Sequence, residues 1–167
     1  RPIAESILNK VAAGEIVRHI VFHLRKADDA AVEAFNRLCH TIGPAVVRPL
    51  AIALAAEENN RAIRRLRELL LAFGAAGRQS VEQLKHSPNP AVRRMAIDLL
   101  RVFGGSEALP ELASMLDDAD PQVQRESIRA IVQIGTDDAF AVLQQALVGG
   151  SASRDTILQQ LIGLRDD

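Results

Sequence analysis

The sequence predicts an all-α protein made of short antiparallel helix pairs that stack in an array, an α-solenoid. Of its 167 residues 48% are hydrophobic but only 3% aromatic, with five Phe and no Trp or Tyr. The apolar content comes mainly from Ala, Leu, Ile and Val, and a composition rich in Ala and Leu favours helices over strands. A recurring helix end and a recurring helix start, described next, are the other two observations that predict this fold.

The recurring helix end is a large apolar residue followed by glycine. It occurs at Ile42-Gly43, Phe73-Gly74, Phe103-Gly104 and Ile134-Gly135, so the glycines are separated by 31, 30 and 31 residues. Glycine is common just after a helix because it readily takes a left-handed conformation there. We therefore predict a structural repeat of about 31 residues.

The recurring helix start is a capping residue before proline, at Asn89-Pro90 and Asp120-Pro121. Asn and Asp cap helices through their side chains, and proline is tolerated at the first helical position. Between start and stop the apolar residues fall on one helical face, namely Val92, Met95, Ala96, Leu99, Leu100 and Phe103. A second apolar pattern follows each glycine, so each unit is a helical hairpin that must stack on its neighbours to bury both faces.

These patterns predict ten helices, at about 3–26, 30–42, 44–57, 60–73, 78–87, 90–103, 106–118, 121–134, 137–148 and 153–164. We expect one repeat domain over residues 1–167. Within it, an irregular capping helix lies in 1–28, about four hairpins lie in 29–150, and a terminal half-repeat lies in 151–167.

Four short segments support a family resemblance. Residues 90–96 (PAVRRMA), Phe103-Gly104 and 108–112 (ALPEL) are followed one repeat later by 120–125 (DPQVQR). This pattern resembles HEAT-like repeats of the short type also found in phycobilin lyases, over about residues 28–163 and most strongly from 88 onward. The resemblance implies a right-handed superhelix whose second helices line a concave face. It also implies macromolecular binding more often than chemistry.

From this resemblance we expect a non-catalytic scaffold that binds a protein or peptide on its concave face. In the second helices, Leu109, Leu112 and Leu116 or their equivalents define the buried face, so we expect the residues on the other faces to be exposed. The predicted partner-binding residues are Arg48, Ile52, Glu82, Glu111, Ser114, Met115, Val142 and Gln145.

The alternative is a HEAT-like enzyme or accessory subunit that acts on nucleic acid or bilin. Twenty Lys and Arg balance 21 Asp and Glu, and the net charge of -1 provides no overall field that would attract nucleic acid. HEAT-like DNA glycosylases hold the damaged base with aromatic side chains, and this chain has no Trp or Tyr. We therefore regard nucleic acid as an unlikely partner.

No catalytic, cofactor or metal site is predicted. His19 and His23 are spaced as metal ligands on one helix face, with Cys39 and His40 further on, but no acidic third ligand is placed by sequence. Residues 7–17 (ILNKVAAGEIV) resemble the opening helix of the ATPases of DNA mismatch repair, but the downstream nucleotide-binding motifs are missing.

Two charged features receive structural interpretations. We interpret Arg65, Arg94 and Arg125 as one column of inter-repeat hydrogen bonds and ion pairs, with a phosphate-binding stripe as the alternative. Asp117-Asp118 is interpreted as a pair of solvated carboxylates at a helix end. The single cysteine, with no evident signal peptide or transmembrane run, leads us to expect a cytoplasmic protein.

Overall fold

The computed structural model describes the backbone of residues 2–150 and 153–163, and side chains from residue 13 onward apart from 160, 161 and 163. Residues 151–152 and 164–167 of the predicted half-repeat lie outside the described residues. All regular structure in the described ranges is helical. The helices are α1 (Pro2–Leu24), α2 (Asp29–Ile42), α3 (Val47–Ala56), α4 (Asn60–Leu71), α5 (Gly74–Leu84), α6 (Pro90–Gly104), α7 (Leu109–Ser114), α8 (Pro121–Ile134), α9 (Asp137–Val148) and α10 (Arg154–Gly163). Short 3-10 turns, Pro44–Val46 and Gly105–Ala108, precede α3 and α7.

Side-chain caps begin the first helix of successive hairpins. Asn59, Asn89 and Asp120 each accept hydrogen bonds from backbone N–H groups in the first turn of α4, α6 and α8. These three caps are 30 and 31 residues apart, in agreement with the expected spacing of helix starts. Thr136 caps α9 by accepting a hydrogen bond from the Ala139 N–H. Ser106 does not cap a helix, because it lies inside a 3-10 turn and α7 begins three residues later without a side-chain cap.

Glycine ends two of the four predicted helices as expected, since Gly43 and Gly135 are the C-caps of α2 and α8 and have positive φ. Gly74 also has positive φ, but α4 already ends at Leu71 and Gly74 is the first residue of α5, so this prediction is wrong. The fourth assignment is wrong by one residue. Gly104 is the last residue of α6, with φ of −113°, and the positive φ of 50° belongs to Gly105. Of the two adjacent glycines, the first continues the helix and the second takes the positive φ at which the chain changes direction.

The chain divides into two compact units, Arg1–Val81 and Glu82–Asp167. In the first unit, α1 packs against α3, α4 and the 3-10 turn before α3. Its buried face consists of Ala13, Val17, Ile20 and Leu24, all at most 2% exposed. The spacing of four, three and four residues is that of one helix face. On the opposite face, from residue 13 onward, Arg18, His19, Phe22 and His23 are exposed.

In the second unit, α6 packs mainly on α8, and α8 also contacts α7, α9 and α10. Counted from their caps, α6 and α8 bury equivalent positions: Val92 and Val123, Ile97 and Ile128, Leu99 and Ala130, Leu100 and Ile131. Met95 and Phe103, which we predicted on this face, are only half-buried. Burying each large aliphatic side chain contributes about 2 kcal/mol, so this repeated column forms the core of the unit.

Candidate partner-binding groove

Helix α7 is shorter than the sequence predicts, and residues on both sides of its end line a groove. We expected a helix to residue 118, but α7 ends at Ser114. The Ser114 hydroxyl donates to the Glu111 carbonyl at 2.6 Å. The N–H groups of Met115 and Leu116 then donate three residues back, to Leu112 and Ala113, which tightens the chain into 3-10 geometry. The turn that would have continued α7 alongside α9 is therefore absent.

This groove has a volume of about 520 Å³ and lies within the second unit. Its walls combine apolar side chains with an exposed carboxylate and an exposed amide, and half of its lining residues carry no side chain larger than methyl. The lining residues are Ala113, Leu116, Asp117, Val142, Gln145, Ala146, Gly149 and Gly150. A groove of this volume, mostly small and apolar with two polar groups, can accept a partner's side chains.

Two of the predicted binding residues, Val142 and Gln145, line this groove. Exposed Ser114 and half-buried Glu111 lie on α7 without lining it. The remaining predicted residues lie elsewhere: Arg48 and Ile52 are exposed on α3, and Glu82 is half-buried on α5. The small residues that shape the groove were missed, since alanine and glycine gave no sequence pattern that distinguished them from helix-packing positions.

The predicted exposure of Met115 is wrong, because its side chain is only 3% exposed. Our expectation assumed that α7 continued as a regular helix. The 3-10 turn changes the rotation per residue, so that Met115 and Leu116 both turn towards the core. Met115 is therefore a core residue and is not available on the surface of the isolated chain.

The loop between α7 and α8 is fixed by an ion pair. Arg93 Nε and Nη2 donate to Asp118 Oδ2 and Oδ1 at 2.8 and 2.7 Å, and the two side chains are 14% and 12% exposed. Burial would raise the pKa of the Asp118 carboxyl, but the hydrogen bonds from Arg93 and the Asp120 backbone, with the charge of Arg93, hold it below its usual value. The prediction of a solvated Asp118 is therefore wrong.

A periodic pattern that the sequence interpretation missed accompanies this pair. Glu57, Ser87 and Asp118 each stand two residues before a helix cap, and each accepts the backbone N–H of that cap residue. Glu57 also pairs with Arg25 at 2.9 Å. An acceptor at this position in successive repeats was visible in the sequence and could have identified these side chains as parts of the turn.

The arginine column is partly confirmed, with a correction to its register. Counted from the caps Asn59, Asn89 and Asp120, the residue equivalent to Arg94 and Arg125 is Arg64, not Arg65. Arg65 is 7% exposed and donates to the carbonyls of Leu24 and Ala27 and, at 3.4 Å, to Asp29. Arg94 donates to Gln122 at the start of the next hairpin, as the structural interpretation expects.

His19 and His23 lie side by side, with ring centroids 4.5 Å apart. No group of three or more His, Cys, Asp or Glu side chains suited to a metal occurs among the residues that the structure describes. His40 stacks on Phe73 with ring centroids 4.8 Å apart. Cys39 is fully buried, and burial raises the pKa of its thiol to about 11. Protonated and inaccessible, this thiol is a core side chain.

Comparison with known families adds to this geometry. A family model described as HEAT repeats matches residues 77–162, more than half of the chain. The chain belongs to the HEAT-repeat family. The HEAT match contains α6 to α9 and the whole groove, and it includes residues 77–87, where the sequence resemblance was weakest. No curated protein and no solved structure matches the chain.

HEAT repeats commonly mediate protein–protein interaction and are generally non-catalytic. Among the described helices, none alone is long and apolar enough to cross a membrane. The segments Asp29–Ile42 and Pro44–Ala56 together have the length and composition of a membrane span, but the chain bends by 110° between them.

Proposed function

We propose that this chain is a non-catalytic scaffold that binds a peptide segment of a partner protein in the groove between α7 and α9. The observation that carries the proposal is the groove itself, which lies between the second helices of two successive HEAT hairpins and includes Val142 and Gln145. In a right-handed HEAT superhelix with a repeat of about 31 residues, the second helices line the concave face. The 30- and 31-residue steps between caps support that repeat.

The lining favours a peptide over a flat protein surface. Alanine and glycine at positions 113, 146, 149 and 150 leave room between the helices for an aliphatic side chain. At the rim, the exposed Asp117 carboxylate can accept hydrogen bonds from a peptide backbone, and the exposed Gln145 amide can both donate and accept them. Apolar anchoring surrounded by polar contacts is the usual arrangement of a peptide-binding groove.

The test fills the groove without altering the core. Ala146 is half-buried in the groove, whereas Ala141 is exposed on the same helix outside the lining. Ala146→Trp should block the site, and Ala141→Trp adds the same side chain elsewhere on α9. Both variants are first shown by circular dichroism to melt as cooperatively as wild type.

A random peptide library displayed on mRNA is then selected against the wild-type chain. We expect enriched peptides to bind wild type and Ala141→Trp equally, and to lose affinity about ten-fold or more with Ala146→Trp. Peptides that bind Ala146→Trp as tightly as wild type would show that recognition occurs elsewhere. Failure of the library to enrich any sequence would contradict peptide binding by this chain.

A further inference from the structure

Helix α1, in the first unit, carries a second exposed surface. It consists of Arg18, His19, Phe22, His23 and Lys26, which we name the α1 stripe; all five are exposed. Arg18, His19, Phe22 and His23 are spaced on one face of α1, and Lys26 lies in the turn just after the helix end. The opposite face, from Ala13 to Leu24, is buried in the first unit. The stripe is therefore held on a fixed helix.

An aromatic side chain stands at the centre of the stripe. Phe22 is 78% exposed, which is unusual for so large an apolar group. Its ring packs edge to face on that of His23, with centroids 5.1 Å apart. The rings of His23 and His19 are also in contact, with centroids 4.5 Å apart. Three adjoining rings form a continuous surface of the kind that is enriched at protein interfaces.

The stripe contains two cationic side chains, Arg18 and Lys26, whereas the acids next along the chain and Glu57 hydrogen-bond to groups outside the stripe. Asp28 caps α2 through the Ala31 N–H, Asp29 accepts from Arg65, and Glu57 pairs with Arg25. Glu15 does pair with Arg18 at 2.9 Å, but the two side chains are 63% and 78% exposed. An exposed pair of this kind is worth little and is readily exchanged for a partner's carboxylate.

The chemistry selects one class of partner. A bilayer requires an apolar helix face that can insert, and the apolar face of α1 is already buried in the protein. Nucleic acid requires many cations, whereas the stripe has Arg18 and Lys26 on a chain of net charge -1. The stripe instead suits an acidic polypeptide that carries an apolar side chain, because a few cations around one aromatic ring are enough to bind it.

We propose that the α1 stripe binds an acidic segment of a partner protein, whose carboxylates pair with Arg18 and Lys26 and whose apolar side chain packs on Phe22. Electrostatic complementarity of this kind sets specificity and association rate, and the aromatic centre supplies the anchor. The site shares no residue with the groove between α7 and α9 and does not depend on it.

The probe is a short synthetic peptide in which glutamates flank a single leucine, titrated into the ¹⁵N-labelled chain and followed by NMR. We expect saturable shifts at residues 18–26. Replacing the glutamates of the peptide by glutamine, or using Arg18→Glu/Lys26→Glu, should weaken binding about ten-fold. Phe22→Ser should weaken it about five-fold or more, whereas Val148→Ser, at a residue 85% exposed in the second unit, should not.

Several results would overturn the proposal. These are no saturable shift on α1, equal binding by Phe22→Ser, or tighter binding to single-stranded DNA or to phosphatidylserine vesicles than to the peptide. Because every substituted side chain is exposed, circular dichroism should show unchanged folding in each variant. The groove-blocking Ala146→Trp variant should bind the peptide as wild type does, so the two sites can fail separately.

Discussion

Arg93 and Asp118 form a two-bond ion pair that joins the first turn of α6 to the loop before α8. The same guanidinium donates to the Ser87 carbonyl at 2.9 Å, and the same carboxylate accepts the Asp120 N–H at 2.8 Å. One side-chain pair therefore links the starts of two successive HEAT hairpins. It also restrains the end of the segment that follows α7 and presents Leu116 and Asp117 to the groove.

Removing the guanidinium should destabilise the chain. Arg93→Met leaves Asp118 mostly buried without its cation, and we expect the free energy of unfolding to fall by about 2 kcal/mol. Arg125→Met makes the same change at an exposed arginine one hairpin later and should cost less than about 0.5 kcal/mol. Urea denaturation measures both. Equal losses in the two variants would mean that the ion pair adds nothing to stability.

Stability should decrease in acid. The pKa of Asp118 lies below its usual 3.8, and that of Glu57 lies below 4.5, chiefly because the Asn59 N–H donates to the Glu57 carboxylate. Folding therefore favours both ionised forms. Their contribution is complete above these usual values and is lost as pH falls through the lower pKa values of the folded state. Urea denaturation midpoints are measured from about pH 7 down to about pH 3. We expect the midpoint of wild type to fall over this range and that of Asp118→Asn to fall less. Parallel curves would contradict a role for Asp118.

The adjacent glycines after α6 should respond differently to the same substitution. Gly105 has positive φ with open space around the position of a Cβ, so Gly105→Ala should cost about 1 kcal/mol from backbone conformation alone. Gly104 is helical, so Gly104→Ala should be neutral or stabilising by up to about 0.5 kcal/mol. Thermal unfolding of the two variants checks this. A larger loss for Gly104→Ala would place the helix end where the sequence interpretation first put it.

The sequence was sufficient to predict the local order of helices, because their limits depend on short-range chemistry. Asn89 and Asp120 cap their helices through adjacent backbone groups, and Val92 and Leu99 report their burial through spacing alone. Where two signals competed, as at Gly104 and Gly105, the pattern did not decide which residue would take positive φ.

The groove was less predictable, because its lining includes residues on both sides of an unpredicted helix end. The Ser114 hydroxyl competes for a backbone carbonyl, and no periodicity shows in advance that this bond will form. Once α7 stops, Met115 turns inward, and small residues far apart in sequence line one space. Val142 and Gln145 were identified because α9 is regular.

The lining of the groove has an evolutionary consequence. Ala113, Ala146, Gly149 and Gly150 determine the shape of the site, whereas Leu99, Leu100 and Ile131 fill the core. Substitutions that reshape recognition can therefore accumulate in one set of residues while purifying selection for foldability acts on the other. In the proposed function, this separation lets small side-chain changes alter binding specificity while the helical framework is kept.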